Sequence, residues 1–278
     1  MSNSASASSF TSFTNPAGTP EAVREVYTGP ERELWELLMG EQIHIDGFAS
    51  SMALAEKAQV AANIKAIDLC CCSGAGLRFL AKFRGLASGI GVDMTPAVLE
   101  LGEQRNRRDK VADKIRLVQA DATRTGLPHA STDLVWGEDA WCYVTDKKAL
   151  VREAVRLVKQ GGTIAITDWM WGSQPADAAG ATRFLSFMKF PNLFSLADYQ
   201  AAFEASGAIV SVQEDTKRYA PAIERYLSNV ANQYTYDALR IIGFDQAMAG
   251  AIIGEMQHAL DLAKRGMLMQ GMIVARKK

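Results

Sequence analysis

IKAIDLCCCSGAGLRFLAKFRGLASGIGVDMT, Ile64–Thr95, decides the fold of this 278-residue chain. A strand-like apolar run (Ile64–Leu69) gives way to a turn of small residues (Cys70–Gly76), then to an amphipathic run (Leu77–Phe83) and a second apolar run ending on an acid, Asp93. The order predicts strand, turn, helix, strand. One acid, Asp68, stands just before the turn, and Asp93 ends the next strand roughly twenty-five residues on, the spacing of a nucleoside-holding unit. Small residues let the backbone approach a ligand, and an acid ending the second strand is placed to accept both hydroxyls of a ribose. The turn departs from the dinucleotide-binding G-x-G-x-x-G pattern, and that departure directs the rest of the reading.

Asp68 followed by Cys70, Cys72, Ser73, Gly74 and Gly76 resembles the first motif of the class I S-adenosylmethionine-dependent methyltransferases, acid-x-Gly-x-Gly-x-Gly. The resemblance continues in order downstream. IRLVQADATRTGLP (Ile115–Pro128) resembles the family's third strand and its adenine-binding acid, here Asp121 beside Ala122. STDLVWGEDAWCYVTD (Ser131–Asp146) resembles the fourth strand and the loop that meets the substrate, and ALVREAVRLVKQGGTIAITDWM (Ala149–Met170) the helix, Gly161–Gly162 turn and fifth strand. The implied fold is α/β, a doubly wound Rossmann-like sheet of seven strands in the order 3-2-1-4-5-7-6, the last strand antiparallel. The implied cofactor is S-adenosylmethionine, the methyl donor, leaving as S-adenosylhomocysteine. Two family glycines fall on Cys70 and Cys72; cysteine carries a Cβ, so the turn is expected to be widened or its dihedrals shifted.

GEQIHIDGF (Gly40–Phe48) resembles a segment of methyltransferases acting on glycine derivatives, dimethylglycine and phosphoethanolamine. By that likeness residues 21–62 form a helical lid, and Tyr27, Gln42 and His44 approach the methionine end of the cofactor. The bland alternative is a surface helix whose His44 caps a turn. The same resemblance assigns Asp68, Cys70, Cys72, Ser73, Gly74, Asp93, Met94, Asp121, Ala122 and Glu138 to the cofactor. It also points to Asp139, Trp141, Tyr143 and His44 for catalysis, Asp139 to hold or deprotonate an amine and Tyr143 to orient it.

Trp141, Trp169 and Trp171 fall at the end of the sheet where ligands bind, and an aromatic wall there would favour a cationic amine by about 1–2 kcal/mol per ring. Packing of a cap is the other reading. An insertion after the fifth strand, residues 171–196, is expected to form that cap, with Phe184, Phe187 and Met188 at helical spacing. Ser195 and Gly207 read as the start and stop of the next helix.

Composition narrows the partners. The chain is 48% hydrophobic with net charge −1, and its mean hydropathy is −0.04, so it can bury a full core as one domain, residues 21–278. No basic footprint suggests nucleic acid, and the cluster Arg105, Arg107, Arg108, Lys110 reads as a solvated face balanced by Glu100, Glu103 and Asp109. No apolar run is long enough to span a bilayer. Residues 1–20, rich in Ser, Thr, Ala and Asn, read as a disordered tail rather than a leader, and the compartment as cytoplasmic.

Four cysteines, three of them consecutive, do not suit a disulfide framework, and packing is preferred over a metal site for the run. No residue is assigned to a metal. A small-molecule acceptor is the expected partner, a homodimer stays open, and three functions remain: methylation of an amine, methylation at carbon, oxygen or sulfur, and nucleoside binding without catalysis.

Overall fold

The computed structural model describes residues 13–278. Seven strands form one sheet: β1 (Lys65–Leu69), β2 (Ser88–Asp93), β3 (Ile115–Gln119), β4 (Thr132–Glu138), β5 (Val158–Trp171), β6 (Ala208–Asp215) and β7 (Leu268–Lys277). They lie in the order β3-β2-β1-β4-β5-β7-β6, as the resemblance implied. The first five are parallel, and β7 runs antiparallel between β5 and β6. Parallel strands carry helices on both faces, so β1 buries every residue from Ala66 to Leu69, whereas edge strand β6 alternates.

Helices α4 (Ala75–Phe83), α5 (Pro96–Arg108) and α6 (Lys147–Leu157) make the crossovers between successive parallel strands, and α8 (Leu196–Ala205) leads into β6. Before the sheet come α1 (Pro20–Thr28), α2 (Pro30–Met39) and α3 (Gly47–Lys57). Pro20 and Pro30 each start a helix, while Gly29 and Gly40 end the first two. The cap helix α7 (Ala178–Met188) follows β5, and α9 (Tyr219–Ala231), α10 (Thr235–Ile241) and α11 (Gln246–Lys264) separate β6 from β7. Ser195 and Asp198 cap α8 reciprocally, and Gly207 stops it with φ 86°.

The sequence and the structure part company in four places. Residues 13–19, expected within a disordered tail, pack against the cap: buried Asn15 donates to the carbonyls of Leu185 and Phe190, and the Phe13 ring meets Trp171 edge-on at 5.7 Å. The first twelve residues of that tail lie outside the described residues. Gly161–Gly162 is a bulge inside β5, where pairing with β4 jumps from Thr132–Val158 to Leu134–Thr163. Helical patterns near residues 220–235 and 244–264 predict two helices between β6 and β7, but a turn before Thr235 sets off a third, α10.

The basic cluster on α5 is the fourth difference. Arg105 is only 8% exposed and grips Glu36 of α2 through both terminal nitrogens, at 2.8 and 2.9 Å. Arg108 holds Glu41 in the same two-pronged way, at 2.6 and 2.7 Å. Helical periodicity identifies a charged face but not the element that docks on it, so a clasp reads as a solvated surface. These paired guanidinium–carboxylate contacts fix the lid over the turn that follows β1.

Apolar side chains divide into three clusters. Two cover the faces of the sheet, one beneath α6 and α8, the other beneath α3 and α4. The third is the core of the cap, built on Trp169, Trp171, Phe184, Phe190 and Tyr219. Between β1 and β4 the strand order reverses, and the crevice at the carboxyl ends of these strands is where open α/β sheets bind ligands.

Candidate active site

The turn after β1 is built in the left-handed region. Cys70 has φ 63°, Cys72 φ 49° and Gly74 φ 75°, so both cysteines occupy backbone that favours glycine. Replacing Cys72 by Gly is expected to raise stability by about 1 kcal/mol, read by urea unfolding; no change or a loss would mean that its side-chain packing outweighs the strain. Gly76 is required for space: a Cβ there would stand 2.9 Å from both the Asp68 Oδ2 and the Trp136 Nε1.

Asp93 lies at the tip of β2 and accepts from the Cys72 N–H and the Thr95 N–H, each at 2.9 Å. It thereby ties this turn to the start of α5. Asp121, after β3, accepts from the N–H and hydroxyl of Thr123 at 2.8 Å. A cavity of about 320 Å³ runs between these acids and the lid, lined by Tyr27, Cys70, Cys72, Asp93, Met94, Asp121, Ala122 and Tyr143. A smaller one of about 50 Å³ continues inward past Tyr27, His44, Asp68, Cys70, Ser73, Glu138 and Asp139. A hollow of about 590 Å³ against Trp171, Tyr219 and Leu268 touches none of the motif residues.

The inner cavity is polar, and lid and sheet meet in it. Buried His44 lies 3.3 Å from the Ser51 hydroxyl and 3.5 Å from the Glu138 carboxylate through Nε2, while its Nδ1 has no partner. Glu138 also accepts from Ser51 at 2.6 Å and from the Trp136 indole at 2.8 Å. Asp139 accepts from the Ile45 N–H at 2.8 Å and from Gln270 of β7 at 2.8 and 3.0 Å, which fastens the lid loop to the sheet. Asp68 is 4% exposed and accepts no hydrogen bond from a described residue; burial first, then the charges of Glu138 and Asp93, pushes its carboxyl well up. Burial likewise raises Asp139, against the opposing pull of His44 and its hydrogen-bond donors.

Tyr27 of α1 and Tyr143 meet in the wall of the outer cavity, hydroxyl to hydroxyl at 3.3 Å, rings edge-on at 5.8 Å, and Tyr27 also lines the inner one. Burial raises both phenols, so they stay protonated near neutral pH. Burial, then the Asp93 charge, pushes the Cys72 thiol up to about 12, and Cys70, Cys71 and Cys142 are also raised by burial. Protonated thiols are poor metal ligands and poor nucleophiles. Among the described residues no cluster of His, Cys, Asp and Glu is placed to hold a metal ion.

Most of the residues expected at the site converge on it, but the tryptophans do not. Trp141 is fully buried against Tyr199 and Phe203 and lines neither cavity. It folds back onto β4, where a Cβ on Gly137 would meet its indole at 2.5 Å. Trp169 packs on Phe184, Phe190 and Tyr219 within the cap. The rings at the cavity are Tyr27 and Tyr143, so the expected tryptophan wall is corrected to a tyrosine pair. Gln42 stands behind the site, donating to Ser51 at 3.0 Å.

Four contributors escaped the sequence reading: Ser51, Gln270, Lys147 and Asp168. Gln270 left a signal, a polar residue inside the apolar run of β7. Asp168 accepts from Tyr199 at 2.6 Å and from the Cys142 N–H at 3.0 Å, and burial pushes its carboxyl up to about 7. The unfolded value is about 3.9, so between these limits the native state holds the extra proton and is favoured as pH falls. Urea unfolding of the wild type and Asp168→Asn should therefore diverge between pH 7 and 4. The wild type gains stability relative to the variant as pH drops, and parallel curves would refute the shift.

Fit to the donor can be judged from these residues. Unpartnered Asp68, the strand-end Asp93 and the cavity between them suit a nucleoside carrying an amino-acid tail. The first turn of α4 has no side-chain cap, leaving its N–H groups for an anionic group. The fold and the arrangement of these residues resemble those of the S-adenosylmethionine-dependent methyltransferases.

Residues 67–166 match the family model described as methyltransferase domain. Methyltransferase GfsG of Streptomyces halstedii is 27% identical over 176 residues, 61% of this chain and 63% of that protein. The aligned part therefore spans less than two thirds of that relative. Sarcosine/dimethylglycine N-methyltransferase of Aphanothece halophytica is 24% identical over 213 residues, covering 76% of this chain and 75% of its own length. Other relatives, 23% and 27% identical, are named as carbon and oxygen methyltransferases. The fold matches that of a Haemonchus contortus phosphoethanolamine N-methyltransferase with TM-score 0.79 at 18% identity, over 93% of this chain and 58% of that one. No helix of the described residues is long and apolar enough to cross a membrane.

Proposed function

We propose that this chain transfers the methyl group of S-adenosylmethionine to a small-molecule acceptor, and that the acceptor atom is an amine nitrogen. The observation that carries this reading is the inner cavity. Its carboxylates, Glu41, Asp68, Glu138 and Asp139, and the buried His44 line a cavity that shares Tyr27, Cys70 and Cys72 with the outer one, where Asp121 lies. The acceptor amines named for two relatives belong to the same chemical class. Carbon or oxygen acceptors are the second reading, supported by the names of other relatives.

When bound, the donor supplies an electrophilic methyl: as the nitrogen lone pair forms the new bond, the carbon–sulfur bond breaks, its electrons stay on sulfur, and the positive charge passes to nitrogen. The residues of the chain do the rest. Asp93 and Asp121 would hold ribose and adenine, and Asp68 the amino group of the tail. The lid, clasped to α5, and the tyrosine pair exclude water and align the acceptor, the main requirement of an in-line displacement. His44 receives the proton of an amine that arrives protonated, with Glu138 and Ser51 orienting its Nε2 and leaving Nδ1 free for the task.

The test is transfer of a deuterated methyl from S-adenosylmethionine to a panel of amines, phenols, thiols and prenyl diphosphates, resolved by product mass. Label on an amine supports the proposal; label confined to carbon, oxygen or sulfur acceptors overturns it. His44→Gln should lower turnover by about 100-fold at pH 7 and recover as pH rises, because solvent then delivers the free amine. A uniform loss at every pH would leave His44 a structural part only.

A further inference from the structure

We infer that the acceptor carries no anionic group: the site selects a cationic or neutral small molecule and rejects one bearing a carboxylate or phosphate. The inference rests on the methyl-transfer reading of the same site and narrows its substrate class. Neither cavity is lined by a lysine or an arginine among the described residues. The inner one presents Glu41, Asp68, Glu138 and Asp139, with His44 as its sole basic side chain among the described residues.

Cations close to the site line neither cavity. Arg105 and Arg108 face the carboxylates Glu36 and Glu41; Arg78 donates to the Ser73 carbonyl behind the turn and lies 3.5 Å from Asp109, its Nη2 without a partner. Arg225 and Arg218 flank Asp46 at 2.6 and 3.4 Å. Arg183, the one arginine of the cap insertion, lies outside on Glu255 at 3.0 Å. Lys147 is turned away, its ammonium surrounded by the carbonyls of Cys142, Val144 and Asn192 and by the Asn192 side-chain oxygen.

A buried anion without a paired cation or a set of donors is strongly disfavoured. The donor's single carboxylate has the uncapped start of α4; a second anion has no comparable place. With Asp68 given to the amino group of the donor's tail, the buried polar group left open in the inner cavity is the Nδ1 of His44, in a residue 4% exposed and without a partner. An ammonium, or a neutral molecule with an N–H or O–H, answers it.

Calorimetry on the full chain saturated with S-adenosylhomocysteine tests this without turnover. Two matched pairs serve as probes: choline against trimethylglycine, which differ by a carboxylate, and phenol against 4-hydroxybenzoate. The expected result is at least tenfold tighter binding of the carboxylate-free member, with the gap narrowing in Glu138→Gln. Equal affinities, tighter binding of the carboxylates, or no preference in either pair overturns the inference. Preference within the phenol pair alone, with no label reaching an amine in the transfer assay, keeps the charge rule and defeats the amine reading.

Discussion

Lys147→Met should lower stability by about 3–5 kcal/mol, because several buried oxygens lose their shared donor at about 1–3 kcal/mol each, and the midpoint of thermal unfolding by about 10 °C. Lys147 is 1% exposed at the first turn of α6, a position where the helix dipole disfavours a cation. Burial pushes its ammonium down to about 8, so it stays largely charged at neutral pH. It is held by four oxygens, at 2.8 Å from Asn192 Oδ1, 2.9 Å from the Val144 and Asn192 carbonyls and 3.2 Å from Cys142. One side chain thus joins the loop after β4 to the segment that ends the cap. Methionine fills the space and leaves the four acceptors without a donor. Because Tyr143 sits in the same loop, affinity for S-adenosylhomocysteine should fall with stability. Unfolding monitored by calorimetry decides the matter, and a change below 1 kcal/mol would show that water replaces the ammonium.

Asp93→Ala should weaken S-adenosylhomocysteine by about 100-fold. Two charge-assisted hydrogen bonds to ribose hydroxyls are worth roughly 3 kcal/mol together, and each 1.4 kcal/mol is a factor of ten. The loss of the two backbone contacts that brace the turn adds to this. Ligand-induced thermal stabilisation gives a second readout: the wild type melts higher with S-adenosylhomocysteine, the variant does not. An unchanged affinity would remove Asp93 from the ribose and move the nucleoside elsewhere in the cavity.

Residues 64–95 carried most of the fold because each local choice there has one structural use. Small residues must be at the turn, an acid must end the strand, and the apolar spacing switches from strand to helix and back. The helices before β1 and the placement of His44, Asp68, Asp93, Asp121, Glu138 and Asp139 along the two cavities were anticipated from the order of the motifs. What stayed hidden depends on contacts between distant segments. Trp141 follows the fourth strand where a substrate-facing ring is expected, yet Gly137 leaves a space beneath it that the indole fills. Arg105 and Glu36 are 69 positions apart, and nothing local says that they meet. Lys147 looks like an exposed start of a helix until Asn192, 45 positions on, supplies its partner.

The placement of β7 bears on how the chain is made. It is the last described element to leave the ribosome, yet it lies between β5 and β6 and brings Gln270 to Asp139. Until it emerges, β6 has no neighbour and β5 shows a bare antiparallel edge along Thr163–Trp171. An unpaired apolar edge invites pairing with other chains during synthesis. The nascent protein therefore passes through a stage with its parallel strands formed and its sheet unfinished, when a chaperone able to shield strand edges would matter most.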